Sequence, residues 1–211
     1  MKKVFVLLLV SMLLVGCVSE PSESTTPESV ASQTESSGQS ASSTQSGNGG
    51  GTNADASEEK TYVLSFEAKT TDGNAFSSEI FSESKVTMIN VWATYCNPCL
   101  EEMPDLGEIA QEYDKSDFQL IGIISDVVED APQSDIDAAK DLIAQTEANY
   151  PHLLLNQSLF ENLVGGVSSV PTTFFVNSKG EVLGYVVGAN DKDTWLDIIN
   201  DLLSKEGDGD E

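Results

Sequence analysis

Two cysteines separated by two residues, Cys96-Asn97-Pro98-Cys99, are the side chains best suited to chemistry in this sequence. That spacing lets the two sulfurs close one small disulfide ring, and the thiolate is the reactive form of either. An apolar run of buried-strand length, Val86 to Trp92, precedes the pair, and a helical pattern follows it. A helix N-terminus offers unsatisfied N–H groups and partial positive charge, which favour a thiolate at Cys96. Pro98 suits a first turn, where a missing N–H costs little. Cys99 falls one turn inside, on an apolar 99/103/106 stripe, so Cys96 is expected at the exposed end and Cys99 in the interior. Three other uses of the pair compete with redox chemistry. A structural staple ordinarily joins distant segments, and a four-residue loop gains little from closure. Zinc needs more ligands, and the single histidine, His152, has no second cysteine pair beside it. Haem attachment needs a histidine after the second cysteine, where Leu100 stands. Dithiol redox chemistry is the reading that remains favoured.

The third cysteine belongs to a different setting. Lys2 and Lys3 precede a twelve-residue run, Val4 to Val15, broken only by Ser11. A helical span needs roughly 20 apolar residues, so this run reads as a signal-peptide core. Leu14-Val15-Gly16-Cys17 resembles the lipobox of bacterial lipoproteins. The resemblance implies removal of residues 1–16 and diacylation of Cys17, since stable anchoring takes two or more chains. Residues 17–60 then read as a tether. From Val18 to Lys60 there are 12 Ser, 5 Thr, 5 Gly and no aromatic residue. Such a stretch cannot bury enough apolar surface to offset its ordering entropy. Residues 61–205 read as one globular domain and 206–211 as an acidic, frayed tail.

Within the domain the elements that must position the cysteines alternate. Tyr62 to Phe66 reads as a short strand, Val86 to Trp92 as a buried one and Leu120 to Ile124 as another. Cys99, Met103, Leu106, Ala110 and Tyr113 recur at helical spacing, with Pro104 expected to kink that helix. A second helix is expected over 134–148 with Ser134 as its cap, and a third over 158–164. Leu153 to Leu155 is a short apolar segment that can pair. Thr172 to Val176 and Glu181 to Val187 read as a hairpin through Asn177-Ser178-Lys179-Gly180, and 193–203 as a closing helix with Trp195, Ile198, Ile199 and Leu202 inward.

With these elements in place, Val91-Trp92-Ala93-Thr94-Tyr95-Cys96-Asn97-Pro98-Cys99-Leu100-Glu101-Glu102-Met103-Pro104 resembles the active-site stretch of the TlpA/ResA-like thioredoxin family. Ser169-Val170-Pro171-Thr172-Thr173-Phe174 is similar to that family's cis-proline loop ahead of a hairpin. The resemblance covers about residues 61–205. It implies an α/β thioredoxin fold, a central mixed sheet flanked by helices. It also implies a membrane-anchored extracytoplasmic thiol–disulfide oxidoreductase, with Cys96 as nucleophile and Cys99 as resolving thiol. Pro171 is then the cis residue packed against the disulfide, Val170 lends backbone groups to a substrate strand, and Trp92 packs beside the site. The implied partners are protein dithiols and disulfides and a membrane electron donor. Neither a metal nor an organic cofactor is implied, and a monomer is expected. The sequence departs from ordinary thioredoxins at Asn90, where they carry a buried acid. Asp126 is the nearest candidate for a substitute acid on the following strand, in competition with Glu129 and Asp130. Glu101 and Glu102 read as an exposed helix face, and His152 as a loop or surface residue.

Charge narrows the alternatives. Ten basic residues, all lysine, stand against 35 acids, for a net charge of -25. A nucleic-acid binder is excluded on that balance, because phosphate contacts rest on Arg and Lys. Two rival functions remain. A redoxin-type peroxidase would need an Arg or Thr shell around its thiolate, and the sequence contains no Arg. A binding lipoprotein would keep the cysteine pair as structure alone.

Overall fold

The computed structural model describes residues 62–207. The signal peptide, Cys17, the tether of 17–60 and residues 208–211 of the acidic tail lie outside the described residues.

The chain begins with a small antiparallel pair, β1 (Glu67–Lys69) and β2 (Ala75–Ser77). It continues through β3 (Val86–Trp92), α1 (Asn97–Glu112), β4 (Phe118–Val128), α2 (Gln133–Gln145), β5 (His152–Leu155) and α3 (Gln157–Asn162). It ends with β6 (Thr172–Asn177), β7 (Val182–Val187) and α4 (Lys192–Gly207). Five strands form one mixed sheet in the order β5-β4-β3-β6-β7. β3, β4 and β5 run parallel, and β6 and β7 are antiparallel additions.

All seven residues of the central strand β3 are buried, as expected where both faces of a sheet are covered. Its side chains divide by parity. Val86, Met88 and Trp92 join Met103, Leu106 and Ile109 of α1 and Trp195 and Ile199 of α4 in one core. Ile89 and Val91 join Leu64, Phe66, Phe81, Leu153 and Leu159 in a second core on the opposite face. Asn90 shares the parity of Met88 and Trp92, so its amide points toward α1. Gly180, at φ 82, turns the β6–β7 hairpin in a left-handed conformation that other residues resist.

Several elements differ from the sequence reading. In Tyr62 to Phe66 the burial alternates like a strand, with Leu64 and Phe66 inside. Only an isolated bridge from Val63 to Glu181 forms there, and the ladder starts at Glu67. Pro132, not Ser134, is the N-cap of α2. The proline's carbonyl accepts from Asp135 and Ile136, while the Ser134 hydroxyl donates to Asp135. Pro104 lies inside α1, which runs from Asn97 to Glu112 with Cys99, Met103, Leu106 and Ile109 on its buried face. The α4 helix continues to Gly207, two residues into the segment read as a tail.

His152 is the largest correction. It is 3% exposed on β5, not on the surface. The Trp92 indole N–H donates to its Nδ1 at 3.1 Å, which leaves the proton on Nε2 to donate to the Ala148 carbonyl at 3.1 Å. Gly122 makes room for the ring, since a Cβ there would stand 2.3 Å from Nδ1. Burial pushes the imidazole down to about 4 from its usual 6.5. Between those values the unfolded chain binds a proton that the folded chain refuses. The stability due to neutral His152 is therefore complete above about pH 6.5 and lost as pH falls toward 4, by about 3 kcal/mol. His152→Gln keeps an acceptor and a donor without the titration. Urea unfolding should show the variant gaining on the parent protein by about that amount between pH 7 and 4, and a constant difference would refute the assignment.

Candidate active site

The cysteine pair sits where β3 gives way to α1. Cys96 is the N-cap, its sulfur accepting from the Cys99 N–H at 3.3 Å, and Pro98 lies in the first turn. The two sulfurs form a disulfide with Cα atoms 5.3 Å apart. Cys99 is fully buried and Cys96 is 6% exposed. The asymmetry expected from the sequence holds in direction, but only a small part of Cys96 meets solvent. The exposed rim is Tyr95, at 74%, with Asn97 and Pro98.

The turn before Cys96 is clamped from β4. The Asp126 carboxylate accepts from the Thr94 N–H at 3.0 and 3.2 Å and from the Thr94 hydroxyl. The Ser125 hydroxyl donates to the Trp92 carbonyl at 2.9 Å. Asp126 thus holds the loop that presents Cys96. Glu129, its competitor in the sequence reading, instead accepts from Asn156 and pairs with Lys69 at 3.7 Å.

Behind the disulfide lies a carboxylate that the sequence reading placed on an exposed face. Glu102 is 3% exposed. It stands three residues after Cys99, and side chains at that spacing share one face of a helix. Its Oε1 accepts from the Asn90 amide at 2.9 Å and its Oε2 from the Asn190 backbone N–H at 3.2 Å. Asn90 also donates to the Thr173 hydroxyl at 3.1 Å, so the carboxylate is tied to β3 and β6. Burial pushes Glu102 up to about 7, against the pull of the Asn190 and Asn90 hydrogen bonds and the nearby Trp195 indole. The sequence offered only a weak hint. Glu102 lies beside the 99/103/106 stripe, and Asn90 has the inward parity of its strand. Asn90 therefore supplies a donor to an acid on the neighbouring helix, in place of an acid of its own.

The remaining expected residues gather at the same end of the sheet. Trp92 is fully buried in the cluster that contains Cys96 and Cys99, and Val170 packs against that cluster. The Val170–Pro171 bond is cis, and Pro171 is buried directly before Thr172, which pairs with Val91. Among the described residues no group of His, Cys, Asp and Glu could hold a metal ion, and no helix is long and apolar enough to cross a membrane.

Comparison with known proteins places the chain among thioredoxin-fold relatives. A family model described as the AhpC/TSA family matches residues 61–184. The thiol-disulfide oxidoreductase ResA of Bacillus anthracis is 27% identical over 113 residues, 53% of this chain and 60% of that protein. The thiol:disulfide interchange protein HelX of Rhodobacter capsulatus is 28% identical over 133 residues, 63% of this chain and 69% of that one. Among solved structures, a thioredoxin-family thiol:disulfide interchange protein from Chlorobium tepidum superposes with a TM-score of 0.57. It is 26% identical over 70% of this chain and 99% of that one. The pneumococcal exposed lipoprotein thioredoxin from Streptococcus pneumoniae has a TM-score of 0.54, at 27% identity over 65% of this chain and 98% of that one. The mixed sheet with its flanking helices is the thioredoxin fold. The chain spans about 60% of the length of the ResA relatives it matches.

An acid raised by burial costs stability when it ionises. The folded state binds more protons than the unfolded between about pH 4.5 and 7, so stability falls as pH rises through that window. Glu102→Gln should therefore be more stable than the parent by ~3 kcal/mol at pH 8 and about equal at pH 4.5, read from urea midpoints. A variant less stable at both pH values would show that the carboxylate is an ordinary structural acceptor.

Proposed function

The chain belongs to the AhpC/TSA family, and on that premise we propose that it is a membrane-anchored extracytoplasmic thiol–disulfide oxidoreductase that reduces disulfides of exported proteins. The observation that carries this reading is the Cys96–Cys99 disulfide at the head of α1 with the buried Glu102 carboxylate one turn behind Cys99.

In the reduced protein the Cys96 thiolate attacks one sulfur of a partner disulfide. A mixed disulfide forms and the partner's other sulfur leaves as a thiolate. Glu102 takes the Cys99 proton, and the resulting Cys99 thiolate attacks Cys96. The Cys96–Cys99 disulfide forms and the second partner thiolate leaves. Two electrons pass to the partner, and a dithiol donor associated with the membrane returns two to restore the pair. The helix N-terminus favours the Cys96 thiolate, and burial keeps Cys99 protonated until its proton has an acceptor. Val170, partly exposed beside the cysteine cluster, gives a substrate strand its backbone groups, while the buried Trp92 and Pro171 support the cysteine pair from inside.

Localisation rests on the N-terminal residues. The basic start, the apolar run and Leu14-Val15-Gly16-Cys17 support export and lipidation at Cys17, with the segment to residue 60 as tether. The domain acts as a monomer on protein substrates. The family match also leaves room for a peroxidase, but no Arg is present to bind a leaving peroxide oxygen. Peroxide consumption without a protein partner would establish that alternative.

Three measurements test the reading. Cys99→Ser should accumulate mixed disulfides through Cys96, detected by mass spectrometry, while Cys96→Ser should trap almost none and reduce no insulin. Equal alkylation of both thiols near neutral pH would revive a purely structural pair. In a stopped-flow assay Glu102→Gln should slow resolution of the mixed disulfide by ~10²-fold and remove its inflection near pH 7. Cys17→Ala should release the protein from membranes with the redox activity of the domain intact. Retention after a high-salt wash would show that the lipid assignment is wrong.

A further inference from the structure

The N-terminal turn of α4 is fastened to α1 along a row of carboxylates that begins at Glu102. Glu102, Asp105, Glu108 and Glu112 follow one another at spacings of three, three and four residues, on neighbouring positions of one helix side. Each takes a partner from the residues that lead into or begin α4. Glu102 Oε2 accepts from the Asn190 N–H at 3.2 Å, and Asp105 Oδ2 accepts from the Lys192 N–H at 3.1 Å. The Lys192 ammonium donates to Glu108 Oε2 at 2.7 Å and pairs with Glu112. Asp191 closes the turn by accepting from the Thr194 N–H at 2.9 Å. Trp195, fully buried one turn further on, brings its indole N–H near the Glu102 carboxylate without a hydrogen-bond partner of its own.

These contacts oppose the burial of Glu102. Donors aimed at a carboxylate favour its charged form, and the start of a helix adds a partial positive charge. The groups facing Glu102 come from every element around it. On its own helix Asp105 opposes ionisation, while Asn90 of β3, itself bonded to Thr173 of β6, donates to it. Tyr150, ahead of β5, is near enough for the Glu102 charge to raise its hydroxyl further. The contribution of α4 depends on how its first turn is docked: Trp195 and Ile199 hold the helix in the core, and Lys192 fastens its end to α1 through its N–H on Asp105 and its ammonium on Glu108 and Glu112.

We propose that the first turn of α4 is a latch that holds Glu102 in its acid–base role and that Lys192 is the positioning residue that closes it. The proposal rests on Glu102 acting as the proton acceptor for Cys99. Lys192 touches neither cysteine. It fixes where the Asn190 N–H and the Trp195 indole stand, and through them it sets the pH at which Cys99 finds a base.

The test reads the Glu102 carboxyl by ¹³C NMR titration in the oxidised full mature chain in detergent, with no substrate. The parent midpoint is expected near pH 7. Lys192→Met should raise it by about one unit, and Lys192→Arg should restore it. Trp195→Phe, which removes the indole donor, should raise it independently. Lys140→Met removes the same charge from an exposed pair with Asp72 and should leave it unmoved. The Lys192→Met shift should persist at ~1 M salt, where a long-range charge effect is screened. An unchanged midpoint in Lys192→Met overturns the latch, as does an equal shift in Lys140→Met or a shift abolished by salt. Because the titration needs no turnover, an inactive protein with the shift intact would refute the proposed function and leave the latch standing. In the stopped-flow assay the pH profile of mixed-disulfide resolution should move with the midpoint, which a merely structural role for Lys192 would not produce.

Discussion

A carboxylate buried one turn from the cysteine pair is unfavourable to folding, and the architecture around Glu102 compensates for it. Asn90 reaches it from the central strand, Asn190 from the segment leading into α4, and Thr173 steadies Asn90 from β6. Three elements that are distant in sequence thus converge on one side chain. A solvated acid would need none of this, but it would stay ionised far below neutral pH and be a weak base for a thiol. Burial brings it to about 7, where it can hold or release a proton under ordinary conditions.

The domain contains a second buried ionisable group with the opposite requirement. His152 is stable only when neutral and supports Trp92 from β5. Acid weakens the domain at His152, and ionisation weakens it at Glu102. These two groups set the pH range in which the fold is most stable. Their placement differs in kind. His152 fills a gap left by Gly122 and fixes the end of β3 through the Trp92 indole. Glu102 lies on α1 between Asn90 of β3 and the backbone of Asn190 ahead of α4.

The end of the sheet that carries the disulfide is held by short polar contacts, not by packing alone. Asp126 grips Thr94, Ser125 grips the Trp92 carbonyl, and Cys96 caps its own helix. The cysteine loop is therefore set from β4 and α1 together. Only a thin edge of Cys96 is open to solvent, between the exposed Tyr95 and Pro98.

What the sequence determined by itself is the local chemistry and the order of the elements. The Cys-x-x-Cys spacing, the strand before it, the apolar stripe behind it and the hairpin turn are short-range patterns, and β3, β6 and β7 lie close to where periodicity places them. Boundaries set by caps were less legible, as at Ser134, because a neighbouring proline decided the start of that helix. The tertiary structure alone decided the burial of Glu102 and His152. Each is polar, and local pattern assigns a polar residue to solvent unless a partner is known. Their partners, Asn90, Asn190 and Trp92, lie 12, 88 and 60 positions away. A charge or imidazole enters a core only when such distant groups satisfy it, and no local window contains that condition.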